Sequence, residues 1–176
     1  KGMLTEWSVE CTYHALQCFG GHGYIAEHGM EQFVRDARIA MIYEGANGIQ
    51  ALDLVGRKLG LDGGLAFDGL IADVRADARD PLLIALTDQV EVAAASLRDM
   101  APDDQLAGSY PFLTMCSVLV GGWLIERLAR SPGADERTQA AARFFLGAVV
   151  PEASGLAAGA EAGAAMLYAV PAQALA

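Results

Sequence analysis

Proline occurs only 6 times in 176 residues, and stretches in which Val, Ile or Thr alternate with polar residues are nearly absent. The second shortage leaves little from which to build a sheet, and the abundance of Ala and Leu favours helices. Positive charge is also short: 12 basic residues stand against 22 acidic ones, for a net charge of -10. Residues 61–176 alone hold 7 basic and 15 acidic side chains. Such a surface repels phosphate backbones, which excludes nucleic acid as a partner. Cysteine is limited to Cys11, Cys18 and Cys116, an odd number too small for a disulfide framework. Set among apolar residues, they read as buried thiols of a reducing compartment, and the cytoplasm is the expected location. The opening Lys1-Gly2-Met3-Leu4-Thr5-Glu6-Trp7 has neither an apolar secretory core nor a basic leader. It reads as the interior of a longer protein.

What is present is apolar material, 53% of the chain, enough for a core in one domain or two small ones. An all-α fold is expected. The segment from Gly2 to Phe19 lacks proline and internal glycine beyond its first residue, carries Trp7, Cys11, His14 and Cys18 at helical spacing, and is stopped by Gly20-Gly21. A second stripe, Met30, Phe33, Val34, Ala37 and Met41, predicts a helix over 30–41. A third helix is expected from about Ala46 to Leu59, with Ile49, Leu52 and Leu59 facing the core. The glycine- and aspartate-rich segment 61–69 has the composition of a linker. This places one domain at 1–60 and a helical extension at 70–176, with helices near 70–78, 82–101 and 110–130. Pro81 after Asp80 suits a helix start, because its missing N–H would be unpaired there in any case. The loop at Ala101-Pro102-Asp103-Asp104 ends the second of these helices. A last helical run from Asp135 to about Leu167 is expected to bend at Pro151 rather than break. The uncharged run from Gln105 to Ile125 is long enough for a membrane span. Pro111, Gly108, Gly121 and Gly122 and the lack of basic flanks before it favour a buried helix instead.

Among candidate chemical groups, Glu44 lies at the break between two helices, preceded by Met41, Ile42 and Tyr43 and followed by Gly45. In apolar surroundings its charged form would be disfavoured, raising its pKa and making it a better general base. An exposed loop glutamate is the alternative. Cys11, His14, Cys18 and His22 suggest a metal site only superficially: on one straight helix the outer pair would be about 16 Å apart, too far to share an ion. His28, near Glu27 and Glu31, reads as a solvated helix start.

The run Arg35-Asp36-Ala37-Arg38-Ile39-Ala40-Met41-Ile42-Tyr43-Glu44-Gly45-Ala46-Asn47-Gly48-Ile49-Gln50 resembles the signature of the acyl-CoA dehydrogenase family, in which an Arg-Asp-Ala helix leads to Ile-Tyr-Glu-Gly-Thr-Asn-x-Ile-Gln. Upstream, Gln17-Cys18-Phe19-Gly20-Gly21-His22-Gly23-Tyr24 is similar to that family's Gln-x-x-Gly-Gly-x-Gly-Tyr. The resemblance implies the helical bundle of that family's C-terminal domain. It also implies that Glu44 abstracts the proton beside a thioester carbonyl while hydride passes to FAD, giving a trans-2-enoyl-CoA. The thioester oxygen needs hydrogen-bond donors aimed at the developing enolate, and the family pattern gives the Glu44 N–H that role. Tyr43, Glu44 and Gly45 become substrate-binding positions; Gln17, Gly20, Gly21, Ala46 and Gly48 become FAD contacts. Ala46 replaces the usual threonine and Gly48 the usual Glu or Gln, which leaves these two only backbone contacts. In the family the Gln17-Gly20-Gly21 motif approaches the flavin of a neighbouring subunit, implying a homodimer or homotetramer, and an electron-transferring flavoprotein is the implied electron acceptor.

The segment after the linker, with Gly121-Gly122-Trp123 and Arg143-Phe144-Phe145 leading to Pro151, looks like the extended bacterial members of the family, the methylmercaptopropionyl-CoA type among them. The chain then reads as a catalytic-base-bearing fragment, itself inactive. The rival reading is a helical oligomerisation or binding module without chemistry of its own.

Overall fold

A computed structural model describes residues 1–175. All regular structure among them is helical, giving a helical bundle and additional helices. The residues group into two compact units, one ending at Ala51 and the other starting at Leu52.

In the first unit α1 (Gly2–Cys18) packs against α3 (Met30–Ile39), with the short α2 (Gly21–Tyr24) between them in sequence and touching both. Gly20 starts α2 at φ 58, a conformation that favours glycine. Gly23 lets α2 close on α1, since a methyl there would overlap the Leu16 carbonyl. The expected stripe on α1 faces the wrong way: Trp7 is half-buried, but Cys11, His14 and Cys18 are exposed. Periodicity defines a face without saying which neighbour covers it. The partly covered face is instead Thr5, Glu6, Val9, Thr12 and Leu16, and the buried positions of this unit are Gly2, Gly23, Asn47 and Ala51. Phe33, expected inside α3, is 59% exposed. The buried-thiol expectation thus fails for Cys11 and Cys18, while Cys116 is half-buried and its apolar surroundings push its thiol pKa up.

Helix α4 (Asn47–Asp53), continued by a π turn at Leu54–Lys58, buries Ala51, Val55 and Leu59 rather than Ile49 and Leu52. Spacing of four residues along the helix, not large side chains alone, marks its inner face. The glycine-rich stretch that follows is a tight turn with Asp62, Gly63 and Gly64 at φ 54, 70 and 93. Arg98 donates to the carbonyls of Leu59 (3.1 Å) and Gly64 (3.3 Å) and pairs with Asp68 (2.9 Å).

The second unit contains α5 (Leu65–Asp77), α6 (Pro81–Asp99), α7 (Pro102–Ala107), α8 (Ser109–Ala129), α9 (Glu136–Phe144), α10 (Val150–Ser154) and α11 (Ala157–Ala160). The Asp80 carboxylate caps α6 by accepting from Leu82 N (2.9 Å), with Pro81 in the first turn. Leu83, Leu86, Val90 and Leu97 of α6 meet Phe112, Met115, Val118 and Leu119 of α8, all at most 2% exposed. Among the described residues α8 alone is long and apolar enough to cross a membrane by length and composition. In this unit it is the helix on which α5, α6, α9, α10 and α11 converge. Two expectations are corrected. Pro102 starts a short helix instead of a plain loop, since proline fits a first helical turn. The run from 135 to 167 is not one bent helix: it carries a π turn at Phe145–Val149, ends at Ser154, and resumes only briefly at Ala157–Ala160. The π turn directly precedes α10, whose first turn holds Pro151; Gly155 then closes α10.

Glu126, 7% exposed on α8, accepts from the backbone N–H groups of Arg79 (3.0 Å) and Asp80 (2.8 Å) and so fixes the corner between α5 and α6. Beside it, Asp77 accepts from the Trp123 indole (2.8 Å) and pairs with Arg130 (3.0 Å) and Arg127 (3.1 Å). The indole hydrogen bond first, and the arginines after it, hold the Asp77 carboxyl below its ordinary range.

Candidate functional site

Helix α3 ends at Ile39 because the next residues turn back on themselves: the Ile42 N–H donates to Ile39 O (3.0 Å) and the Tyr43 N–H to the same oxygen (3.2 Å). The chain then passes through two consecutive left-handed residues, Glu44 at φ 53 and Gly45 at φ 82. For glycine that conformation is free, but for glutamate it is strained by about 1–3 kcal/mol. Glu44 and Asp62 are the only non-glycine residues at positive φ among the described residues. The turn closes where the Asn47 N–H donates to Met41 O (3.1 Å), and α4 begins there.

The Glu44 side chain is exposed, as are Tyr43 (51%) and Ile42 (55%). The apolar enclosure expected around this carboxylate is therefore not provided by residues 1–175. A side chain at Gly45 would meet the Gln50 amide nitrogen at 2.5 Å. Tyr43, Glu44, Gly45 and Ala46 come together on this one turn, and Gly48 follows it in the first turn of α4. Gln17, Gly20 and Gly21 do not join them: they sit at the far end of α1 from Thr5, which touches the turn, and twelve helical residues span about 18 Å. Gln17, Gly20 and Gly21 are all exposed, and nothing lies within 4 Å of where a Cβ on either glycine would stand. That backbone is open to an approaching group. It forms no enclosed site, and Ala46 and Gly48 offer only backbone polar groups.

Sequence reasoning missed the cluster that holds the turn. Asn47 is 5% exposed, and its side-chain oxygen lies 3.0 Å from both Lys1 Nζ and Thr5 Oγ1. Its amide nitrogen donates to Glu6 Oε1 at 3.0 Å. Lys1 Nζ also donates to the Gly45 carbonyl at 2.7 Å. The signal was weak: a polar residue opening a helix, and Lys1, Thr5 and Glu6 within the first turns of α1, are common features separated by about 40 residues. Elsewhere on α3, Arg35 and Arg38 flank Val34, Ile39 and Ile42 in an open groove of about 580 Å³ that Glu31 also lines. His22 stands on α2 with its ring 5.1 Å from that of His28, at the end of a 3-10 turn.

Two family descriptions match the chain: "Acyl-CoA dehydrogenase, C-terminal domain" over residues 1–59, and "Acetyl-CoA dehydrogenase C-terminal like" over residues 67–171. Among individual proteins, 3-methylmercaptopropionyl-CoA dehydrogenase of Ruegeria pomeroyi is 38% identical over 138 residues, 70% of this chain and 24% of that protein. Broad-specificity linear acyl-CoA dehydrogenase FadE5 of Mycobacterium tuberculosis is 32% identical over 150 residues, 73% of this chain and 24% of that protein. Butyryl-CoA dehydrogenase of Syntrophomonas wolfei is 34% identical over 84 residues, 46% of this chain and 14% of that protein. In the first two of these comparisons the chain spans about a quarter of the relative's length.

Proposed function

The chain belongs to the acyl-CoA dehydrogenase family, and from that membership we propose that it is the C-terminal part of an FAD-dependent enzyme that converts an acyl-CoA thioester to trans-2-enoyl-CoA. The observation that carries this reading is the strained Glu44-Gly45 turn, set in the run that resembles the family signature. In the proposal Glu44 is the general base that takes the proton beside the thioester carbonyl. Its backbone N–H donates to the carbonyl oxygen as enolate charge develops, when such a bond is strongest. Gly45 keeps the backbone low enough for the acyl chain to pass, and Tyr43 borders the same space. Bound FAD would supply the hydride acceptor for the neighbouring carbon. Ala46 and Gly48 would contact it through backbone alone, and Gln17, Gly20 and Gly21 would contact the FAD of a neighbouring subunit. The chain by itself is inactive in this reading, because an exposed Glu44 needs walls from elsewhere to exclude water.

The first unit also supports an oligomer. Tyr24, Phe33, Ile39 and Ile49 are each more than half exposed, apolar side chains that a neighbouring subunit would cover. We propose a homodimer or homotetramer in which Gln17-Gly20-Gly21 reaches the flavin of a neighbouring subunit, with an electron-transferring flavoprotein as electron acceptor and the cytoplasm as location. The division into a 1–60 catalytic-domain part and a 70–176 extension across residues 61–69 belongs to the same proposal. The exposed apolar residues alone would also suit an oligomerisation module without chemistry, so activity must decide.

The experiment is anaerobic titration of the full-length flavoprotein with acyl-CoA thioesters of graded chain length, following loss of the oxidised flavin band. Glu44→Gln is expected to abolish bleaching and Glu44→Asp to slow it. Undiminished reduction in Glu44→Gln would remove Glu44 from the mechanism.

A further inference from the structure

We propose that Asn47, held by Lys1 and Glu6 of α1, is the positioning residue that fixes the Glu44-Gly45 turn and aims the Glu44 N–H and carboxylate. The inference rests on the reading of Glu44 as base and adds to it a device elsewhere in the chain on which that base depends.

A left-handed glutamate persists only where its surroundings over-determine it. The local restraints are thin: Gln50 Nε2 reaches the carbonyls of Glu44 and Gly45 at 3.4 and 3.5 Å, at the limit of a hydrogen bond. The short contacts come from α1 instead. Lys1 Nζ grips the Gly45 carbonyl at 2.7 Å and the Asn47 side-chain oxygen at 3.0 Å, and Glu6 takes the Asn47 amide nitrogen at 3.0 Å. These two charged partners leave one orientation for the amide, because a flipped Asn47 would set donor against ammonium and oxygen against carboxylate. Thr5 contributes less, since its one hydroxyl proton is also within reach of the Gly2 (2.8 Å) and Lys1 (3.0 Å) carbonyls. Asn47 is thus bound on both sides of its side chain and, through its own N–H, to Met41 O at 3.1 Å. The segment from Met41 to Asn47 becomes a closed loop anchored to α1, with Glu44 at its tip. Hydrogen bonds to charged groups are the stronger kind, so this anchor outweighs the Gln50 contacts.

The test uses the full-length flavoprotein and two readouts: hydrogen–deuterium exchange of the peptide spanning residues 42–46, and kcat against KM with acyl-CoA. Asn47→Ala is expected to accelerate exchange in that peptide and lower kcat by about 10- to 100-fold, the scale at which misplacing a catalytic group acts, with KM little changed. Lys1→Met, which leaves the Asn47 amide in place, should do the same to a smaller degree. Asn47→Asp sets a carboxylate against Glu6 and should be as damaging as alanine. Adding Glu6→Gln to it restores the contact with donor and acceptor exchanged, and should recover most of kcat. Unchanged exchange and kcat in Asn47→Ala, while Glu44→Gln is inactive, would overturn the positioning role and leave the base assignment standing. Faster exchange with unchanged kcat overturns it equally, since the contact would then be structural only. If Asn47→Ala does not fold, Lys1→Met and the Glu6→Gln/Asn47→Asp pair decide by the same criteria. An active Glu44→Gln would overturn the base assignment and this inference together.

Discussion

Replacing Glu126 with leucine should destabilise the second unit far more than replacing it with glutamine. The carboxylate is 7% exposed and is the acceptor for two consecutive backbone donors, Arg79 N at 3.0 Å and Asp80 N at 2.8 Å. Hydrogen bonds to a charged partner contribute about 1.5–3 kcal/mol each. Arg79 is exposed and Asp80 half-buried, so water can replace part of the loss, and the net cost of Glu126→Leu is about 2–4 kcal/mol. Oε1 alone accepts from both donors. The glutamine carbonyl can take its place, forfeiting the charge and the longer Oε2 contact with Arg79 N (3.2 Å), at a cost of about 1 kcal/mol. Urea titration of the chain in a Trp7→Phe background isolates the fluorescence of Trp123, which sits on α8 beside Asp77. With a slope of about 2 kcal/mol per molar urea, the leucine variant should shift the midpoint down by about 1–2 M. A shift under about 0.25 M, equivalent to about 0.5 kcal/mol, would refute the claim that Glu126 holds the corner between α5 and α6.

A methyl at Gly108 would overlap the Ala160 backbone carbonyl, so Gly108→Ala should lower stability by about 1–3 kcal/mol. Gly69→Ala, inside α5 with nothing within 4 Å, should raise it by about 0.5–1 kcal/mol; thermal midpoints of the two variants check both signs. At the end of α4, Arg57 (2.7 Å) and then Lys58 (3.1 Å) hold the Asp53 carboxyl down to about 2. Its folded value lies below its unfolded one, so any stability it contributes is complete above about pH 4 and lost as pH falls through about 2. Carboxyl-carbon NMR titration should find that midpoint in the wild type and a higher one in Arg57→Gln.

Residues of the site were legible in proportion to how local their signals are. The Gly20-Gly21 stop, the Pro81 start after Asp80 and the break around Glu44 are each encoded by neighbours in sequence, and each stands where the sequence put it. The Lys1-Glu6-Asn47 cluster was not legible, because its members lie about 40 residues apart and their types are ordinary.

By itself the sequence determined that this chain is helical, roughly where most of the long helices begin and end, and that the chain breaks at residues 43–45, since those follow from propensity, capping and chain-breaking residues. The tertiary structure decided which face of each helix is buried. Cys11, Cys18, Phe33 and Ile49 proved exposed, while Ala51 and Val55 were enclosed. An apolar stripe specifies that a face needs cover; only the packing of neighbours determines whether it receives it. The same reasoning separates Glu44 from Asn47: both are polar residues of one turn, and the approach of α1 buries one and leaves the other at the surface.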